Sequence, residues 1–169
     1  MKQIGLAVIQ YTQDYDEYYF PTQPTTASSP GADAYTFASL LLPYTKSDQL
    51  FICPSGSRTI RDNTMGAPIA VADYKWVMNS PPWAKRAEGH YAFLQALAGR
   101  ALSDVPAPAT TGMICDAGWY LWNSTFDNAV QGSTRHLEGS NFGYADGHVK
   151  WQAIQKNPAA VCYIISTCP

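Results

Sequence analysis

Charge is scarce in this chain. Charged residues fill 14% of 169 positions, and no run of five like charges occurs. The net charge of −2 and a pI near 5.8 leave no basic patch of the kind a nucleic-acid surface needs, so no nucleic-acid partner is expected. Long hydrophobic runs are missing too. No segment approaches the roughly 20 apolar residues of a membrane span. No basic stretch leads into the about 7–15 apolar residues of a signal peptide. Several chemical motifs are absent. There is no C-x-x-C pair and no histidine spacing of a zinc finger. There is no G-x-S-x-G, no G-x-x-x-x-G-K-[ST] and no G-x-G-x-x-G. Nucleophile-elbow hydrolases and phosphate-loop proteins are therefore disfavoured, and no enzymatic activity is expected.

What is present is aromatic and loop-rich. Eleven Tyr, five Trp, twelve Pro and twelve Gly sit in a chain that is 46% apolar, enough for one domain over residues 1–169. Ile4, Val8, Tyr11, Tyr15 and Tyr18 fall on one helical stripe. That spacing predicts a helix ending near Tyr18–Phe20, ahead of Pro21. The helix has no capping residue before it, so the sequence is expected to start inside a longer helix. Residues 35–46 read as a helix stopping before Pro43, and 49–55 (QLFICPS) as a short buried strand or extended segment. Residues 73–79 read as a strand, 89–102 as a helix and 111–122 as a strand running into aromatics. Asp146-Gly147 predicts a two-residue hairpin turn. It would pair Tyr144 with Val149 and Phe142 with Trp151, gathering those four apolar side chains on one face. The expected fold is α+β, a long N-terminal helix packed on a small antiparallel sheet with extensive loops.

The candidate sites are few. Cys162 and Cys168 bracket five residues of a tail with little to pack against, a natural place for a disulfide. Cys53 and Cys115 each end an apolar run and are either a second bridge or two buried thiols. The even cysteine count and an N-S-T sequon at Asn123 lean towards an oxidising, extracytoplasmic setting. His136, Asp116 and Asp146 are candidate metal ligands and the basis of a metal-dependent-enzyme alternative. The plainer reading has His136 pinning the hairpin to the preceding loop, with His148 exposed beside the turn. Trp119, Tyr120, Trp122 and Phe126 crowd into nine residues. They are core, or else an aromatic platform for a ligand or a neighbouring subunit, the binding-module alternative.

Three stretches together carry a family resemblance. KQIGLAVIQYTQDYDEYYFP (2–21) resembles the helix that follows the membrane segment in bacterial type IV pilin-like proteins, the pseudopilins. LLLPYTKSDQLFICPS (40–55) is similar to the L-x-PY…F-x-CPS region of one branch. RHLEGSNFGYADGHVKW (135–151) resembles that branch's C-terminal signature of a His, nine residues and Asp-Gly, here His136, Asp146 and Gly147. The resemblance implies a pilin-like fold, with residues 1–20 the C-terminal half of the pilin helix and 21–169 the globular head. It implies a leader and an apolar segment upstream of residue 1, anchorage in the inner membrane and a periplasmic or extracellular head in the cell envelope. It implies assembly with other pilin or pseudopilin subunits as a structural protein of a pilus or type II secretion filament, with Ile4, Leu6, Val8 and Ile9 at the helix contacts. No cofactor is implied beyond a structural calcium, which some pseudopilins hold in the C-terminal sheet region. Residues 127–130, Asp116 and Asp146 are its candidate oxygen donors.

Overall fold

A computed structural model describes residues 1–21, 37–56, 60–61, 75–78, 87–116, 121–122, 136–137 and 139–153. Its helices are α1 (Lys2–Asp14) and α2 (Phe37–Thr45). Its strands are β1 (Ile60–Arg61), β2 (Lys75–Met78), β3 (Ala87–Gly89), β4 (Tyr91–Leu94), β5 (Gly112–Asp116), β6 (Leu121–Trp122), β7 (Gly139–Tyr144) and β8 (Val149–Ala153). The larger sheet has the order β6-β4-β5-β7-β8, antiparallel from β4 through β8, with β6 added parallel to β4. Strands β1, β2 and β3 form a separate small sheet. The chain is thus an α+β protein with a helix on an antiparallel sheet, as its patterning predicts.

The sheet alternates in the ordinary way, and the register sorts its side chains. Phe93, Ile114 and Gly143 are cross-strand partners and share one face. Ala92, Cys115 and Phe142 share the other. Helix α1 lies on the first face. Ile4, Ala7, Val8 and Tyr11 are buried there, and Gly143 leaves room for Met1, whose Cγ would lie 3.8 Å from an added Cβ. Phe93 anchors an aromatic cluster, with ring centroids 5.0 Å from Phe20 and 6.0 Å from both Tyr19 and Phe37. Burying such rings supplies the largest apolar gains a small core has.

Helix α1 ends at Asp14, short of the expected Tyr18–Phe20. Asp16 and Glu17 adopt positive φ, and the chain turns into an extended segment. There Glu17 O accepts from Leu102 N–H, Tyr19 N–H donates to Arg100 O, and Phe20 O accepts from Gly99 N–H. This pairing outcompetes another helical turn because it drives Tyr19 and Phe20 into the core. Tyr15 and Tyr18, assigned to the buried stripe, are instead exposed. Helix α2 passes through Pro43 rather than stopping before it. Pro43 forfeits a single helical bond near the end, and the last turn closes through Lys46 N–H to Leu42 O and Thr45 Oγ1–H to Leu41 O.

Two other expectations are overturned. The strand expected at 49–55 is a 3-10 turn, Asp48–Phe51, started by Ser47, whose Oγ accepts from Gln49 N–H. The helix expected at 89–102 is β4 followed by a 3-10 turn at Gln95–Leu97. Tyr91–Leu94 are all buried, and a short apolar run buried on both faces looks the same in a strand as in a core helix. The hairpin exists, but its register differs by one residue from the expected pairing. Tyr144 O accepts from Gly147 N–H and Tyr144 N–H donates to His148 O, closing a three-residue connection with Gly147 at φ 89°. Phe142 therefore faces Lys150, Asn141 faces Trp151 and Gly143 faces Val149. The four apolar residues divide between the two faces, leaving Val149 37% and Trp151 45% exposed on an edge strand.

Candidate functional site

Three side chains from separate parts of the chain meet above one end of the sheet. Asp116 is the last residue of β5 and is buried. It follows Cys115 in the strand, so it points to the opposite face, the α1 side. Its Oδ2 accepts from Asn141 N–H at 2.7 Å and from Asn141 Nδ2 at 3.0 Å. These two donors from β7 hold the carboxylate in place.

Cys53 comes from the turn after Asp48–Phe51. His90 fixes that turn at two points. His90 N–H donates to Phe51 O at 2.8 Å, and its ring Nδ1 accepts from Cys53 N–H at 3.2 Å. The imidazole fills the space beside Gly56, where an added Cβ would come within 2.4 Å of the ring. Gly56 is thus required by the close approach of His90. The Cys53 side chain is buried and its thiol is free.

His136 sits in a tight loop ahead of β7. Its N–H and C=O bond the C=O and N–H of Gly139, with Leu137 between them at φ 54°. The indole of Trp151 donates from Nε1 to His136 O at 2.7 Å and lies over Gly139. The hairpin register puts Trp151 in position to do this. His136 Nε2 then lies 3.5 Å from Cys53 Sγ and 3.5 Å from Asp116 Oδ2. His136 is tied to the hairpin through its backbone, by Gly139 and Trp151, while its imidazole turns to Cys53 and Asp116.

The expected trio is only partly assembled. Asp116 and His136 converge, but Asp146 does not join them. Asp146 lies in the hairpin turn, where Oδ1 accepts from His148 N–H and contacts His148 Nδ1 at 2.6 Å. The His148 ring stacks on Tyr144 with centroids 4.2 Å apart, which ties it to the face that carries Phe142. Cys53 takes the third place. Sequence reasoning missed it because the FICPS segment lies 83 residues from His136 and nothing local signals the meeting. Calcium does not suit this centre, since thiol and imidazole replace the oxygen donors it requires. The Cys53–Cys115 bridge does not form. Neither cysteine is in a disulfide, and Cys115 is buried on the sheet face opposite Asp116. Cys162, Cys168, Asn123, Trp119, Tyr120, Phe126 and residues 127–130 lie outside the described residues, as does the side chain of Trp122.

The residues expected at the helix contacts separate by exposure. Ile4 and Val8 are fully buried against the protein's own sheet. Ile9 is half-buried and its Cδ1 would meet a Cβ at Gly147 at 2.8 Å. Leu6 is 48% exposed. No helix among the described residues is long and apolar enough to cross a membrane. Comparison with family models, curated proteins and solved structures returns no match.

Proposed function

We propose that the chain is the head of a structural subunit in a type IV pilus-like or type II secretion pseudopilus-like filament, held at the cell envelope by an upstream apolar segment. The observation that carries this reading is the two-sided packing of α1. One stripe, Ile4, Ala7, Val8 and Tyr11, is committed to the sheet. The opposite side, with Gln3, Leu6 and Gln10, is exposed. Beside it lies a shallow groove of about 200 Å³ that also involves Tyr44 and Leu50 of the α2 region. A filament subunit needs this division, because one helix must stabilise its own head and still present a face to its neighbours. The helix-on-sheet arrangement is also what the three pilin-like stretches imply. In this reading Leu6, with Ile9 at its margin, makes the subunit contact, while Ile4 and Val8 serve the head's own core.

Leu6→Asp, placed in the chromosomal gene, tests the reading. The substitution is at a surface position and is expected to change head stability by no more than about 0.5 kcal/mol. Filaments seen by electron microscopy should be lost while the head remains folded. A normal number of filaments from the Leu6→Asp strain would overturn the assembly role.

A further inference from the structure

We propose that Cys53, Asp116 and His136 form a binding site for a thiophilic divalent cation of the zinc class. The inference is independent of the filament reading and rests on which atoms converge. Cys53 Sγ and Asp116 Oδ2 both approach the same ring nitrogen, His136 Nε2, each at 3.5 Å, and the three ligand atoms lie within 4.8 Å of one another.

A catalytic relay does not have this shape. In a nucleophile–His–carboxylate triad the carboxylate holds one ring nitrogen and the nucleophile uses the other. Here one nitrogen faces both partners. A simple His–Asp hydrogen bond is also a poor description, because 3.5 Å exceeds the ordinary range of about 2.7–3.2 Å for N–H to O. A tetrahedral zinc ion fits better. Metal–sulfur bonds of about 2.3 Å and metal–nitrogen or metal–oxygen bonds of about 2.0–2.2 Å place ligand atoms about 3.3–3.6 Å apart. The two separations from His136 Nε2 fall in that interval, and the third, Cys53 Sγ to Asp116 Oδ2, is no more than 4.8 Å.

The donor types select the metal. One thiolate, one imidazole and one carboxylate suit zinc and exclude calcium and magnesium, which need oxygen shells. The surroundings supply the outer contacts such a site needs. Asn141 holds the Asp116 oxygen with two donors, His90 fixes the Cys53 backbone, and Gly139 and Trp151 fix that of His136. Asp116 is closed off, while the His136 side chain is 27% exposed, so a fourth position opens on the His136 side for water. The bound ion would tie the turn at Cys53, the end of β5 and the loop ahead of β7 into one unit.

The test is cobalt and zinc titration of the purified, reduced full chain. The expected result is one equivalent of cobalt giving a thiolate-to-metal charge-transfer band and visible bands of tetrahedral intensity, displaced by zinc. Cys53→Ser should abolish the charge-transfer band. His136→Gln and Asp116→Asn should each weaken zinc binding by at least about 100-fold, beyond the 10–100-fold cost typical of outer-shell partners. Asp104→Asn, at an exposed position with no part in the site, should change neither reading. Near-ultraviolet circular dichroism checks that each variant is folded, and Asp116→Asn keeps the shape of its side chain should Cys53→Ser fail to fold. Absence of stoichiometric binding by the folded wild type would overturn the proposal. So would a charge-transfer band that survives in folded Cys53→Ser, or zinc affinity unchanged in both His136→Gln and Asp116→Asn.

Discussion

Single residues here are constrained by close approach more than by charge. Gly56 has the ring of buried His90 where its Cβ would stand. Gly56→Ala should therefore destabilise the fold by about 1–3 kcal/mol, the usual cost of overpacking, read by urea unfolding. An unchanged midpoint would mean that the His90 lock on the Cys53 turn is not formed. Tyr19 is a second informative position. Its hydroxyl is buried with no hydrogen-bond partner among the described residues, and burial pushes its pKa from 10.0 up to about 12. The unfolded chain then ionises first. Stability is intact below about pH 10 and declines as pH rises towards 12, by about 2–3 kcal/mol from this residue. Tyr19→Phe should remove that part of the alkaline decline, at little or no cost near neutrality. Neither constraint is visible in the sequence, where Gly56 reads as loop and Tyr19 as the end of a helix.

At the level of elements, what could be read depended on periodicity. The first two turns of α1 were legible because Ile4, Val8 and Tyr11 keep a helical stripe, and all three are buried. The hairpin was legible through Asp146-Gly147, but its register was not. Asp-Gly serves both a two-residue turn and a three-residue connection whose last residue has positive φ, and the choice moves every pair by one. β4 and the turn at Cys53 were illegible for a different reason. Their conformations depend on pairing with β5 and on His90, which are remote in sequence. Gly147→Ala probes the hairpin directly. A side chain there meets both φ 89° and Ile9 Cδ1 at 2.8 Å. It should cost about 1–2 kcal/mol by thermal or urea unfolding, mostly as left-handed strain. A cost below about 0.3 kcal/mol would favour some other turn.

For the whole molecule, the signature stretch acquires a structural meaning. Asp146 and Gly147 shape the turn, and the turn sets the register. The register puts Trp151 where it clamps His136, and His136 then reaches Cys53 and Asp116. Two of the three members of this centre, Asp116 and His136, could be nominated from residue type. Cys53 could not, because the meeting is made by the sheet and not by spacing. The same division applies to α1. A helical stripe tells which residues are apolar, but only packing separates Ile4 and Val8, buried in the protein's own core, from Leu6, left outside.

The central claim, that the outer side of α1 is a contact between subunits, is tested most directly by site-specific photocrosslinking in the native host. A photoreactive amino acid replaces Leu6 in one strain and Asp104, exposed elsewhere on the head, in another. The account predicts a ladder of chain multiples from position 6 and monomer from position 104. Monomer alone from position 6, or equal ladders from both positions, would contradict it.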